Sequence, residues 1–136
     1  MLVHEIPGVL VVEWNEEAKA MIDTWSNYAI KVSEFRDAIL TKGVAYARAN
    51  KARAWIVDST NAESVFTQDI QKLIETEVFK AFAAIGIKYF ITIKSATSAI
   101  TNMSISHYAT QAVLFGVQLV EVSSLNEAIA WLKAHQ

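Results

Sequence analysis

The sequence predicts an α/β domain: a mixed sheet of about five strands, a β-hairpin followed by parallel βα units, packed with about four helices. Three observations lead there. Short apolar, β-branched runs alternate along the chain with longer stretches whose apolar residues recur at helical spacing. The run Ala54-Trp55-Ile56-Val57 is apolar on both faces, as central parallel strands are. It ends abruptly in Asp58-Ser59-Thr60-Asn61, and open α/β sheets bind their ligands beyond such strand ends.

Val9 to Trp14 and Lys19 to Trp25 flank the polar cluster Asn15-Glu16-Glu17 and read as an antiparallel hairpin. With no Asn-Gly or Asp-Gly between them, the loop is expected to exceed two residues. Ser33 is the expected N-cap of the first helix, with Glu34 and Asp37 in its acidic first turn. Phe35, Ile39 and Tyr46 share one face of that helix. Gly43 weakens it and marks a close approach to the sheet, and Asn50 ends it. After the central strand, Ile70, Leu73, Ile74, Val78, Phe79 and Phe82 follow helical spacing from Thr67 to a stop at Gly86.

Tyr89 to Ile93 gives another strand, followed by the polar turn Lys94-Ser95-Ala96-Thr97-Ser98. A helix is expected between Ser98 and Gly116, then a last strand over Val117 to Val122. Ser124-Leu125-Asn126-Glu127 is a capping box that opens a terminal helix with Leu125, Ala128, Ile129 and Leu132 on its inner face.

Composition bounds the function. A length of 136 residues, 53% of them hydrophobic, is read as one compact domain over residues 1–136. The net charge is -2 with Lys and Arg scattered, so no basic patch points to nucleic acid. The absence of cysteine removes disulfides, thiol nucleophiles and thiolate metal sites. Met1-Leu2-Val3-His4-Glu5-Ile6 lacks the pattern of a signal peptide. No apolar run approaches the ~18 residues of a membrane span. A cytoplasmic location is expected, where the sequon Asn102-Met103-Ser104 would stay unmodified.

Several stretches together resemble a known family. They are Trp25 after the second strand, Ser33-Glu34-Phe35-Arg36, Trp55-Ile56-Val57-Asp58, Glu77-Val78-Phe79-Lys80 and Ser124-Leu125-Asn126-Glu127-Ala128. The chain is similar to the SpoIIAA-like (STAS/SEC14-like) family of small bacterial proteins, mostly of unknown function. The resemblance implies a STAS-like domain. In STAS-type antagonists a Ser or Thr at the start of the second helix, in an Asp-Ser-Ser-Gly-like turn, is phosphorylated and controls a regulatory partner. Here Asp58-Ser59-Thr60 lies at the strand end instead, and Phe66-Thr67-Gln68-Asp69 at the corresponding position lacks that motif.

The candidate binding residues are Asp58, Ser59, Thr60, Asn61, Thr67, Ser95 and Thr97. Thr67 fits an N-cap, and a phosphate there would face the positive end of a helix. Asp58 suits a ligand contact and equally a hydrogen bond within its own turn. Ser95, Thr97 and Ser98 would line the same crevice from the next strand. His4, His107 and His135 fall in separate elements with no metal-binding spacing. Phosphate loops and nucleophile-elbow motifs are absent, so no enzyme activity, cofactor or metal is expected. Trp14, Trp25, Tyr28, Phe66, Phe79 and Phe82 are read as core. The expectation is a non-enzymatic regulatory or protein-interaction module, a homodimer with a possible regulatory protein partner. The alternative is a binding module for a small apolar or lipid-like ligand.

Overall fold

The computed structural model describes residues 1–64, 66–93 and 115–135. Six strands form one sheet in sequence order: β1 (Leu2–Ile6), β2 (Leu10–Asn15), β3 (Ala20–Trp25), β4 (Ala54–Asp58), β5 (Tyr89–Ile93) and β6 (Gln118–Val122). β1, β2 and β3 pair antiparallel, whereas β3 to β6 are parallel. The mixed α/β architecture is thus the expected one, with six strands rather than about five. The addition is β1, an edge strand whose side chains are exposed or half-buried. Its pairing with β2 makes it a strand, and no buried alternation announces it.

The hairpin turn between β2 and β3 is longer than two residues, as expected, and closes with Lys19 at φ 53°. Three helices lie among the described residues. Helix α1 crosses from β3 to β4 over residues 32–49, as α-helical Val32–Phe35, π-helical Arg36–Gly43 and α-helical Val44–Ala49. Helix α2 crosses from β4 to β5 over residues 68–84, as Gln68–Leu73, π-helical Ile74–Val78 and Phe79–Ala84. Helix α3 is Leu125–Ala134. The helix expected between Ser98 and Gly116 lies, up to residue 114, outside the described residues.

Local chemistry sets most boundaries. Thr67 Oγ1 accepts from the Ile70 amide at 3.5 Å, a long version of the expected cap. Ser124 Oγ accepts from the Glu127 amide at 3.1 Å, and Glu127 reaches back to the Ser123 amide at 3.1 Å. Asn50 ends α1 by donating to Tyr46 O. Gly86 follows α2 at φ 91°, where a side chain is strained. Ser33 is not the cap of α1. The helix already begins with the Phe35 amide bonded to Lys31 O, which places Ser33 inside the first turn.

Crossovers of one hand, added strand by strand in one direction, place their helices on one face of the sheet. Helices α1 and α2 accordingly cover the face carrying Met21, Trp25, Trp55 and Phe90. Gly43 permits this packing at close range, because a Cβ there would stand 2.8 Å from Trp55 Cη2. Helix α3 covers the opposite face, setting Ala128 and Leu132 against Ala20, Ile22, Ala54, Ile56, Ile91 and Ile93. Arg53 holds its end by donating to Leu132 O at 2.6 Å and His135 O at 3.3 Å, where a cation suits the helix dipole. No helix among the described residues is long and apolar enough to cross a membrane.

Candidate functional site

Side chains alternate across a strand, so Met21, Asp23 and Trp25 of β3 all point toward α1 and α2. Asp23 is therefore driven into the core by its parity with two apolar neighbours, and it is 3% exposed. Its register partner on β4 is Val57, and the partner of Val57 on β5 is Thr92. Asp23, Val57 and Thr92 form one row across the inner face, near the carboxyl ends of their strands. Thr92 is buried too.

This row floors a cavity of about 50 Å³. At roughly 10–15 Å³ per water on this measure, it has room for about four waters or one small molecule. Trp25, Trp55 and Phe90 complete the sheet side, and Phe35, Ile39, Ile74, Val78, Phe79 and Phe82 form the helical roof. Tyr28 and Phe66 close the end beyond the strands. The walls pack tightly: Trp55 stacks on Phe82 at 4.3 Å between ring centres, and Tyr28 on Phe66 at 4.2 Å. Both roof helices are π-helical where Ile39, Ile74 and Val78 meet the cavity. Such turns are rare and concentrate at functional sites.

The polar groups of the cavity are few and incompletely paired. Asp23 Oδ2 accepts from Trp55 Nε1 at 2.8 Å. Asp23 Oδ1 and Thr92 Oγ1 have no hydrogen-bond partner among the described residues. Burial raises the Asp23 carboxyl from 3.8 to about 7, against the opposing effect of the Trp55 hydrogen bond. Burial also pushes the Tyr28 hydroxyl up to about 12; its bond to Ser59 opposes this, and the nearby Asp23 and Asp58 charges add to it. A carboxyl in such surroundings exists in both protonation states near neutral pH and can donate or accept there.

Of the residues singled out from the sequence, Asp58, Ser59, Thr60, Asn61 and Thr67 are described, and none of them lines the cavity directly. Ser59 is buried and hydrogen-bonds the Tyr28 hydroxyl. The loop that carries it is tied to the segment after β3, since Glu63 N donates to Ser26 O and Tyr28 N to Glu63 O. Asp58 Oδ1 accepts from the Thr60 amide at 3.0 Å, the bond within its own turn. Thr60, Asn61 and Thr67 are exposed. Among the described residues of this group, only Ser59 reaches the cavity wall, through Tyr28. Ser95, Thr97 and Ser98, with His107, lie outside the described residues. No group of His, Asp and Glu among the described residues could hold a metal ion. The aromatics read as core, Trp14, Trp25, Tyr28, Phe66, Phe79 and Phe82, are all buried.

Sequence reasoning passed over Asp23 and Thr92. The signal was present: Ala20-Met21-Ile22-Asp23-Thr24-Trp25 sets an acid at the parity of Met21 and Trp25, and Thr92 shares the parity of Phe90. Comparison with family models, with curated proteins and with solved structures finds no match in any of the three.

Proposed function

We propose that this chain is a non-enzymatic binding module for a small apolar ligand, held in the aromatic cavity beneath α1 and α2. One observation carries the reading: Asp23 lines a mostly apolar cavity, and its buried Oδ1 lacks a partner among the described residues. An unpaired buried polar atom costs about 1–3 kcal/mol, and a bound polar head would recover it. The apolar walls supply affinity, and the two unpaired oxygens on the floor supply orientation. The SpoIIAA-like, SEC14-like side of the resemblance agrees with such a role.

Xenon is a probe small enough for a cavity of about 50 Å³. It is expected to shift the indole N–H resonances of Trp25 and Trp55 in 1H–15N spectra. At ten times Kd it should add about 1.4 kcal/mol of stability. Spectra and melting temperature that ignore millimolar xenon would remove the proposal.

The second reading is the STAS-like interaction module, and Thr67 supports it. This residue is exposed at the first turn of the second helix, where STAS-type antagonists carry their switch. A protein partner or a second copy of the chain would dock there, in the cytoplasm.

A further inference from the structure

Resting on the ligand-binding reading, we infer that the cavity selects a small organic amine, bound as its ammonium ion against Asp23 with its hydrocarbon part among the aromatic rings. Every electrostatic feature of the site has one sign. Asp23 is the acid on the floor, and the cavity lining among the described residues includes no Lys, Arg or His to balance it. The other titratable group in the lining is Tyr28, which stays neutral at physiological pH. Charged side chains on the roof helices, Arg36 and Glu77, pair with each other on the outer surface at 2.9 and 3.0 Å and do not reach inward.

The rings add to this preference. Trp25, Tyr28, Trp55 and Phe82 line the cavity, and aromatic rings, Trp above all, attract a cation that lies over a free face. Asp23 Oδ2 is already held by the Trp55 indole N–H, so Oδ1 keeps a fixed direction toward the ligand. The carboxyl is already buried by the fold, so the cost of taking it out of bulk water does not recur on binding. An ammonium group carries three donors and no acceptor, which suits a carboxylate oxygen that lacks a partner among the described residues. A hydroxyl of the same shape would gain one hydrogen bond and no charge pairing. A carboxylate would meet Asp23 with like charge.

The test compares methylamine, methanol and xenon, which are small enough for the cavity and differ in charge and hydrogen bonding, by 1H–15N titration. At pH 8 methylamine should bind at least tenfold more tightly than methanol. Its affinity should fall about tenfold between pH 8 and pH 6, as Asp23 takes up its proton and the amine stays charged. Asp23→Asn should abolish the preference for the amine and leave xenon binding in place, which also shows that the variant is folded. Binding of methanol or xenon without any preference for methylamine would overturn the amine assignment and leave the apolar-ligand reading standing. Binding of none of the three would overturn both.

Discussion

Asp23 concentrates the chemistry of this molecule in one side chain. A carboxyl raised from 3.8 to about 7 binds a proton more tightly in the folded chain than in the unfolded one. Its contribution to stability is therefore fully present below pH 3.8 and is lost as pH rises toward 7. The size of the loss is about 4 kcal/mol above pH 7, from ~1.4 kcal/mol per tenfold change in proton affinity. Urea melts of the ligand-free protein should show this decline between pH 4 and pH 7, beneath the contributions of other groups. Asp23→Asn, neutral at every pH and still able to accept from Trp55, should flatten it and raise stability at pH 8. A variant less stable than the parent at pH 8 would show that the ionised carboxyl is better solvated than its burial implies. Thr92, the other unpaired group of the floor, has no charge and carries no such pH dependence.

Helices α1 and α2 are built unlike α3. The terminal helix has a side-chain cap, a reach-back from Glu127 and Arg53 at its last carbonyls. The two roof helices change to π-helical geometry midway, and α1 has no side-chain cap. Across them, the Arg36–Glu77 pair braces one roof helix to the other outside the cavity. Gly43 shows how closely the roof meets the sheet. In an exposed helix Gly→Ala would gain up to about 1 kcal/mol. In α1 the added methyl would stand 2.8 Å from Trp55 Cη2, so the sign reverses and Gly43→Ala should destabilise by about 1–3 kcal/mol. Denaturant unfolding measures this directly. Because Trp55 also holds Asp23, the variant should broaden or shift the Trp55 indole resonance. A stabilised variant with an unmoved Trp55 signal would contradict the packing described.

At the scale of the whole molecule, the sheet divides two unlike cores. On the α3 side the core is a smaller aliphatic cluster, with small alanines bringing helix and strands together. The α1–α2 side holds most of the aromatics, the cavity and the two oxygens without partners among the described residues. The loops after β3 and β4 join at the carboxyl end of the sheet and lead out to Thr67. Under the STAS-like reading, a negative charge at that exposed position alters association with a second copy or a partner. Thr67→Asp is a suitable probe, since Asp caps a helix as well as Thr does and keeps α2 intact. Light scattering after size-exclusion chromatography should show a changed oligomeric state or a lost partner. Identical behaviour of variant and parent would argue against that reading.

The sequence by itself determined the strands β2 to β6, the hairpin, the parallel pairing that follows it, the inner faces of α2 and α3 and the close approach at Gly43. These follow from local rules: periodicity, capping chemistry and the space a residue leaves. It did not determine β1, whose strand character comes from pairing at an edge, or the start of α1, where backbone bonding to Lys31 overrides the preference of Ser33 as a cap. Nor did it single out the site. Polar residues in the loop from Asp58 to Asn61 attracted notice because they stand out along the chain, and one of them satisfies its own turn. Asp23 drew none, the one charged residue within a mostly apolar strand. Only tertiary structure decided its role, because the register of β3, β4 and β5 aligns Asp23 with Thr92, and the packing of two separate helices closes the space above them. Burial and missing partners belong to that assembly and to no single stretch of the chain.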